Sequence, residues 1–404
     1  ISYLPGPNLN ADSTYTALKV SEDGEIQDST TMTGSTSNTV VYVSEESIYI
    51  TNQETMSDAE ILSGFLEEDG NQLFTDDEMD RINEILGYDI SDRSKMIELE
   101  RVFEQHTRRM DREEREEWRK EFENQLGNYT SDNKRDFTST VISEIGIDDM
   151  EIEENGRVAG RLNDQFSMDE KDGNLRIATT VGSTSWRVDG ETANDMYILD
   201  ENLEELGSVK NMGLNEQIYS ARFIDDKAYI VTFRRIDPFH VIDLSDPENP
   251  ELKGELKLPG FSSYLHQLDE DRILGIGEEE GKVKAVIFNV ENDDPTIEDS
   301  TILEDYNSEI NRNHHAFMLD KKHEVFFLPG DEGGYIYSYS DGLEEAMEID
   351  IQNPNRARYV NDHLYVFGDY SVSVIDENKW EVVKTVDFRE EPEDDRPIFF
   401  ERND

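Results

Sequence analysis

A unit of four short β-runs recurs along the chain and constrains its fold more than any other feature. In the best-defined copy, residues 217–260, the runs cover residues 218–224, 228–234, 239–244 and 251–258. Asp, Asn and Pro lie between the runs, and they end strands because they hydrogen-bond the local backbone or lack a ladder N–H. One four-stranded meander is marginally stable alone. Its faces must therefore be covered by further sheets.

Further copies of this unit begin at Gln165, Ser262, His314 and Ala357. Four-stranded units spaced by roughly 40–55 residues are typical of β-propeller blades. We therefore predict an all-β fold, a β-propeller of four-stranded antiparallel blades, with seven or eight blades in the complete protein. A β-sandwich or a barrel is the alternative, but neither explains why the period holds over most of the chain.

Residues 56–135 interrupt the strand pattern with an apolar period near 3.6, which indicates helices. We predict helices at 57–66, 75–86 and 91–109, and a fourth that starts after a capping box at Asp111. The helices lie between the second and third strands of one blade. We therefore divide the chain into the first part of the propeller (1–54), an α-helical insertion (55–136) and the remaining blades (137–404). The apolar stripes of the helices either pack on one another and on the blade edge or form a docking arm for a partner.

The first strands, 14–20 and 26–32, form only half a blade. We expect the missing inner strands to come from sequence upstream of Ile1, or one of them from the apolar run at 397–400. Because the chain does not begin with Met, we expect it to start inside a longer precursor.

Acidic residues outnumber basic ones by 94 to 38, which gives a net charge of −56 spread along the whole chain. Such a charge repels itself, and molar salt screens it within about 3 Å. We therefore expect a folded protein adapted to concentrated salt. A polyanion that binds cations or basic partners is the competing interpretation, whereas nucleic acid is a disfavoured partner because no basic patch exists.

No cysteine is present, which excludes disulfides and thiolate metal sites, and no apolar run is long enough to span a membrane.

The sequence resembles archaeal and bacterial secreted proteins with a C-terminal β-propeller domain. The resemblance lies in the stretch LNDQFSMDEKDGNLRIATT (162–180), in residues 218–266 and in the helical insertion. The resemblance implies an exported protein with further blades upstream, of which this chain is a fragment. We therefore expect an extracellular or cell-surface location. The family lends no reaction and no site residues.

No Gly-rich phosphate loop, H-E-x-x-H or G-x-S-x-G motif is present, so we predict no catalytic residues, no cofactor and no metal. His314 and His315 would point to opposite faces of a strand and could not share one ion. The leading hypothesis is a non-catalytic module for protein interaction or assembly, whose partners include the upstream part of its own precursor. The alternatives are a hydrolase or lyase acting on an anionic polysaccharide or peptide at the channel mouth, and a ligand-binding sensor.

A ligand site at the channel mouth is a second hypothesis, because Arg guanidinium groups suit anions and carboxylate sugars. Its candidate residues are Arg176, Arg222, Arg234, Arg235, Asp237, Tyr264, His266 and His314. The alternative is that these arginines pair with Asp237 and other acids between blades. Asn128 opens a glycosylation sequon with Tyr129 and Thr130.

Overall fold

Antiparallel sheets of four strands make up most of the structure, a computed structural model that describes residues 11–36, 39–182, 191–233, 237–331 and 333–388. Each sheet is a meander in which every strand pairs with the next one in sequence. This arrangement confirms the predicted all-β class and the four-stranded antiparallel blades. The chain divides into two units, Ile1–Leu258 and Pro259–Asp404.

The first unit holds one two-stranded sheet and three four-stranded sheets. The two-stranded sheet comprises β1 (Ser13–Val20) and β2 (Ile26–Gly34). The four-stranded sheets comprise β3 (Thr39–Val43), β4 (Ser47–Thr55), β5 (Thr138–Gly146) and β6 (Ile152–Ala159); β7 (Met168–Lys171), β8 (Asn174–Val181), β9 (Ala193–Leu199) and β10 (Glu205–Met212); and β11 (Gln217–Ile224), β12 (Lys227–Phe233), β13 (Asp237–Asp243) and β14 (Glu251–Leu258).

The second unit holds three four-stranded sheets. They comprise β15 (Phe261–Gln267), β16 (Arg272–Glu279), β17 (Lys282–Asn289) and β18 (Thr296–Ile302); β19 (Met318–Asp320), β20 (Val325–Pro329), β21 (Gly334–Ser338) and β22 (Glu344–Ile349); and β23 (Arg356–Val360), β24 (His363–Phe367), β25 (Ser371–Asp376) and β26 (Glu381–Asp387). The predicted closing strand at 397–400 lies outside the described residues.

The middle strands of most four-stranded meanders are largely buried, and the last strand is largely exposed, whereas in the last sheet the middle strands β24 and β25 are only partly buried. Strand β9 is buried throughout, whereas β14 exposes most of its side chains. Tight turns between strands use Asp225 (φ 50°) and Asn361 (φ 58°) in the left-handed region, which short Asp and Asn side chains tolerate better than most residues. Apolar side chains of neighbouring sheets form the cores between them, as Ile198 and Ile230 do in the first unit.

The helical insertion comprises α1 (Asp58–Glu68), α2 (Asp76–Leu86), α3 (Asp92–Arg108) and α4 (Arg112–Asp132), and it lies between β4 and β5 as predicted. Ser57 and Asp111 begin α1 and α4 with capping boxes that satisfy the first free N–H groups. The apolar stripes form a core within the insertion around Phe65, Phe74 and Leu99. This is the packing that the first of the two interpretations describes.

The two ends of the insertion lie side by side, because the Met56 N–H donates to the Phe137 carbonyl over 2.8 Å. Strands β4 and β5 then pair without a break from Thr55–Thr138 to Ser47–Gly146. None of the helices in the described ranges has the length and apolar character that a membrane crossing requires.

Candidate functional site

Arg176 of β8 is buried and fully engaged by its neighbours. Its Nε donates to Asp169 Oδ2 over 2.9 Å, and its Nη1 donates to the Asp225 carbonyl over 2.5 Å. The guanidinium carbon also lies 5.3 Å from the ring centre of Phe223. Burial raises the pKa of Asp169, although the charge of Arg176 opposes that rise. These contacts link two neighbouring sheets and leave the guanidinium no open fork for a ligand.

Arg222 of β11 stacks on an aromatic ring. Its guanidinium carbon lies 3.9 Å from the ring centre of Phe166, in the 3₁₀ turn Gln165–Ser167. Asp164 caps that turn by accepting from the Phe166 N–H over 2.8 Å. Burial raises the pKa of Asp164, against the opposing hydrogen bond from the Phe166 N–H and the charge of Arg222. Arg222 and Arg176 thus contact different turns and different side chains.

The remaining predicted cations cannot be placed. Arg234 and Arg235 lie outside the described residues. Asp237 is described only through its backbone, as the first residue of β13 opposite Leu258. The proposed pairing of Asp237 with the arginines therefore stays a prediction.

Tyr264 and His266 of β15 come together in the second unit. The Tyr264 hydroxyl and the His266 Nδ1 share a hydrogen bond of 3.0 Å, and the His266 ring centre lies 4.5 Å from that of Phe317. His314 does not start a strand, contrary to the prediction. It lies in the 3₁₀ turn His314–Ala316, with its ring centre 4.0 Å from that of His315. The Asn313 side chain accepts from the His315 N–H and caps this turn, so the argument from opposite strand faces was wrong.

Asn128 is exposed near the C-terminal end of α4 and not in a loop. The third sequon residue, Thr130, is buried, and its hydroxyl donates to the Gly127 carbonyl over 3.0 Å. Glycosylation at Asn128 stays a prediction.

Strand β1 has an open edge among the described residues. It pairs only with β2, and the chain runs from β2 directly into β3, the first strand of the next sheet. In the other meanders the strand that precedes the next sheet is the fourth. Strand β2 therefore occupies the fourth position and β1 the third, and no strand of the described residues fills the first two positions beside β1. Leu18 and Val20 on β1 are each 52% exposed.

A cluster that the sequence did not predict joins three turns at one end of the last two sheets. Asp320 ends β19, His323 follows in the β19–β20 turn, and Glu377 opens the β25–β26 turn. Their ligand-capable atoms, one per residue, lie within 4.8 Å of one another. His323 Nδ1 is 2.6 Å from Asp320 Oδ2. The Glu377 N–H donates to the Asp362 carbonyl over 3.1 Å, which ties in the β23–β24 turn.

The two carboxylates of this cluster are both nearly inaccessible, at 2% exposure each. Burial alone would raise the pKa of Asp320, but hydrogen bonds from His323 and from the Lys322 N–H outweigh it and hold that pKa below its usual value. Burial, followed by the neighbouring Asp320 carboxylate, raises the pKa of Glu377 to about 7. The pair therefore attracts positive charge, either a proton or a cation.

The sequence holds only part of the signal for this cluster. Asp320 and His323 are three residues apart in the sequence, a spacing that could bring both to one ligand. Glu377 comes from a different sheet, so no local spacing connects it with the other two. Glu377 lies beside Asp320 and His323 only because the last two sheets are neighbours in the fold.

A polar cleft of about 350 Å³ also lies in the second unit. Asn307 donates to Asp331 over 3.0 Å from its N–H, and Asn353 donates to Asp369 over 2.7 Å. Two of the carboxylates that border the cleft, those of Asp331 and Asp369, are thus held by neighbouring amides.

Comparison with known proteins gives a family. The family described as Beta propeller domain matches residues 1–380. An uncharacterized protein of Archaeoglobus fulgidus is 42% identical over 383 residues, which make up 94% of this chain and 60% of that protein. An uncharacterized protein of Methanocaldococcus jannaschii is 33% identical over 387 residues, which make up 94% of this chain and 62% of that protein. The chain therefore spans about three fifths of the length of these curated relatives.

Two solved structures are similar at low sequence identity. BamB from Moraxella catarrhalis is 9% identical with a TM-score of 0.36, over 55% of this chain and 63% of that one. A eukaryotic initiation factor is 10% identical with a TM-score of 0.43, over 61% of this chain and 60% of that one. The family match and the two archaeal relatives cover nearly all of the sequence, and the chain belongs to the β-propeller domain family.

Proposed function

We propose that this chain is a non-catalytic propeller that serves protein interaction or assembly outside the cell or at its surface, in concentrated salt. The observation that carries the proposal is the open edge of β1. A strand edge exposes unpaired N–H and C=O groups, and an added strand satisfies them in the binding mode called β-augmentation.

The open edge offers more than backbone groups. A two-stranded sheet is marginally stable by itself, and β1 already packs one face on its neighbours, with Tyr15 against the small core of Met32 and Ile145. Lys19 Nζ donates to the Asp148 carbonyl over 2.8 Å and fixes the end of the strand. The incoming strands would therefore meet an edge that is already held in place. We expect them to come from polypeptide outside these 404 residues, either a partner or a further part of the same precursor. The run at 397–400, which lies outside the described residues, is the alternative source of one of them.

The composition supports the high-salt part of the proposal, and the family resemblance supports the location. The net charge of −56 suits a medium in which salt screens repulsion. The resemblance to secreted propeller proteins supports export. Labelling of intact source cells with a membrane-impermeant amine reagent tests the location, since a surface protein is labelled before lysis and an internal one only afterwards.

A photo-crosslinking residue placed at Leu18, in protein made by the source cells, tests the strand edge. We expect cross-links to polypeptide outside these 404 residues, identified by mass spectrometry. The control is the same residue at Leu252 of β14, which is 43% exposed on the last strand of a complete sheet. Cross-links from position 18 that match those from position 252, or that reach only residues of this chain, would overturn the proposal.

A further inference from the structure

The Glu377 carboxylate is buried without a hydrogen-bond donor. Within the described part of the chain, neither of its oxygens accepts a hydrogen bond, and the residue is 2% exposed. Burying a charged or polar group without a partner is costly, and native proteins rarely leave one so. The unsatisfied oxygens face Asp320 and His323, which together with Glu377 place their ligand-capable atoms within 4.8 Å. Something that donates or carries positive charge therefore belongs between them.

The donor set suits a particular class of ion. Two carboxylate oxygens and one imidazole nitrogen form a mixed N/O set, which favours first-row divalent transition metals, whereas Mg²⁺ and Ca²⁺ prefer oxygen alone. Ligand bonds of about 2.0–2.2 Å let one Zn²⁺ bridge atoms roughly 4 Å apart, so small side-chain rotations bring all three groups into reach. Two negative charges and a neutral imidazole also balance one divalent cation.

We propose that Asp320, His323 and Glu377 bind one divalent transition-metal ion, with Zn²⁺ as the fitting probe. The ion cross-links the β19–β20 turn to the β25–β26 turn and so fastens two neighbouring sheets of the second unit. The ring centre of Trp380 lies 6.2 Å from that of His323, and the two rings are nearly perpendicular at 82°. The role is structural, because the β19–β20 turn and the last sheet already meet beside the site, where Lys322 pairs with Asp362.

A shared proton is the competing explanation for the same geometry. A proton held between Asp320 and Glu377 would also satisfy the pair, and glutamine would then replace Glu377 well because its amide supplies a donor. Under the metal proposal, the same substitution removes a charged ligand and weakens the site. Glu377→Gln therefore separates the two explanations.

The experiment is a Zn²⁺ titration of the chelator-treated full chain in molar KCl, followed by calorimetry and by the unfolding temperature. We expect one saturable site in the wild type, a higher unfolding temperature with Zn²⁺, and affinity at least about tenfold weaker in Glu377→Gln. Asp362→Asn is the matched control: this half-exposed carboxylate pairs with Lys322 beside the site and is not a ligand, so the Zn²⁺ affinity of this variant should equal that of the wild type.

A second variant keeps the test decisive if Glu377→Gln fails to fold. His323→Gln removes the nitrogen ligand and should weaken Zn²⁺ binding to a similar extent. Co²⁺ should give a visible d–d absorption band in the wild type that both variants lack. Coincident Zn²⁺ titrations for the wild type and both variants, or a Zn²⁺-independent unfolding temperature, would overturn the proposal.

Discussion

His240 of β13 is a nearly inaccessible histidine whose hydrogen bonds determine its tautomer. Its Nε2 lies 3.1 Å from the Thr232 hydroxyl, and that hydroxyl is 2.6 Å from Glu216 Oε2. Because the carboxylate can only accept, Thr232 donates to Glu216, and His240 Nε2–H must donate to Thr232. Nδ1 then carries no proton, and it has no hydrogen-bond partner among the described residues. The imidazole is thus held in its neutral form.

Burial lowers the pKa of His240 from 6.5 to about 4. A lowered pKa means that the unfolded chain binds the proton more readily than the folded one. The stability that His240 contributes is therefore complete above pH 6.5 and is lost as the pH falls toward 4. The loss amounts to about 3 kcal/mol for a shift of this size. We expect denaturant unfolding in molar salt to show this extra loss in the wild type relative to His240→Gln.

His315→Gln is the control for this pH effect, since His315 is exposed and its substitution should leave the pH profile unchanged. The three proteins share every carboxylate, so the differences between their profiles isolate the histidines. Parallel profiles for the wild type and His240→Gln between pH 7 and 4 would contradict the prediction.

Single residues are also the scale at which the sequence was least informative. Arg176 stands out in an acidic chain, yet Asp169 and the Asp225 carbonyl engage it fully. The Glu377 cluster, in contrast, has only a partial sequence signature, because Glu377 meets Asp320 and His323 only when two sheets pack side by side. Side-chain surroundings depend on long-range packing, whereas composition describes only which residue types are available.

The helical insertion behaves as a separable element. Its core residues all belong to the insertion or its immediate ends, and α4 is held to the strand region by a different kind of contact. Arg135, just after α4, donates to the buried Asp195 from Nε over 2.8 Å and from Nη2 over 2.9 Å. We therefore expect the helices to be removable without loss of sheet packing as long as Arg135 stays.

We expect a chain in which a short Gly-Ser linker replaces residues 57–132 to keep its cooperative unfolding. Far-ultraviolet circular dichroism should lose the helical signal and keep the strand signal. The matched variant replaces residues 57–135 and so also removes Arg135. It leaves Asp195 buried without its cation, at a cost of roughly 3–5 kcal/mol. Equal stability of the two variants, or no cooperative transition in the first, would contradict this assignment.

Elements were predictable where one period dominated. Alternating and continuous apolar runs predicted the strands. The change to a 3.6-residue period predicted three helices within two residues of their observed ends, and it predicted the start of the fourth. The failure at His314 has a local cause, because Asn313 caps a 3₁₀ turn there and competes with strand formation. Short polar side chains that bond their own backbone override a weak strand pattern.

Charge acts at the scale of the whole molecule. The excess of 94 acidic over 38 basic residues is spread along the chain, so repulsion opposes folding everywhere at once. We expect the chain to lose its fold below about 1 M salt, because screening then weakens. Thermal unfolding across a range of KCl concentrations measures this.

The nature of the salt supplies the control. Screening depends on ionic strength, so NaCl and KCl should stabilise the protein equally at equal concentration. A cation-specific difference would point instead to the competing interpretation, in which the polyanion binds particular cations. An unfolding temperature that does not change with salt would contradict both.

The neighbouring ends of the helical insertion also bear on how the chain folds. Strands β4 and β5 are distant in sequence, and closing a long flexible loop costs entropy before any strand pair forms. Helices with their own core can form early from local contacts. Their formation brings the Met56 N–H and the Phe137 carbonyl close enough to form their hydrogen bond. Once the helices have formed, the loop that must close for β4 to pair with β5 is as short as that of an ordinary hairpin. The insertion thus prevents its own length from slowing the assembly of the sheet that it interrupts.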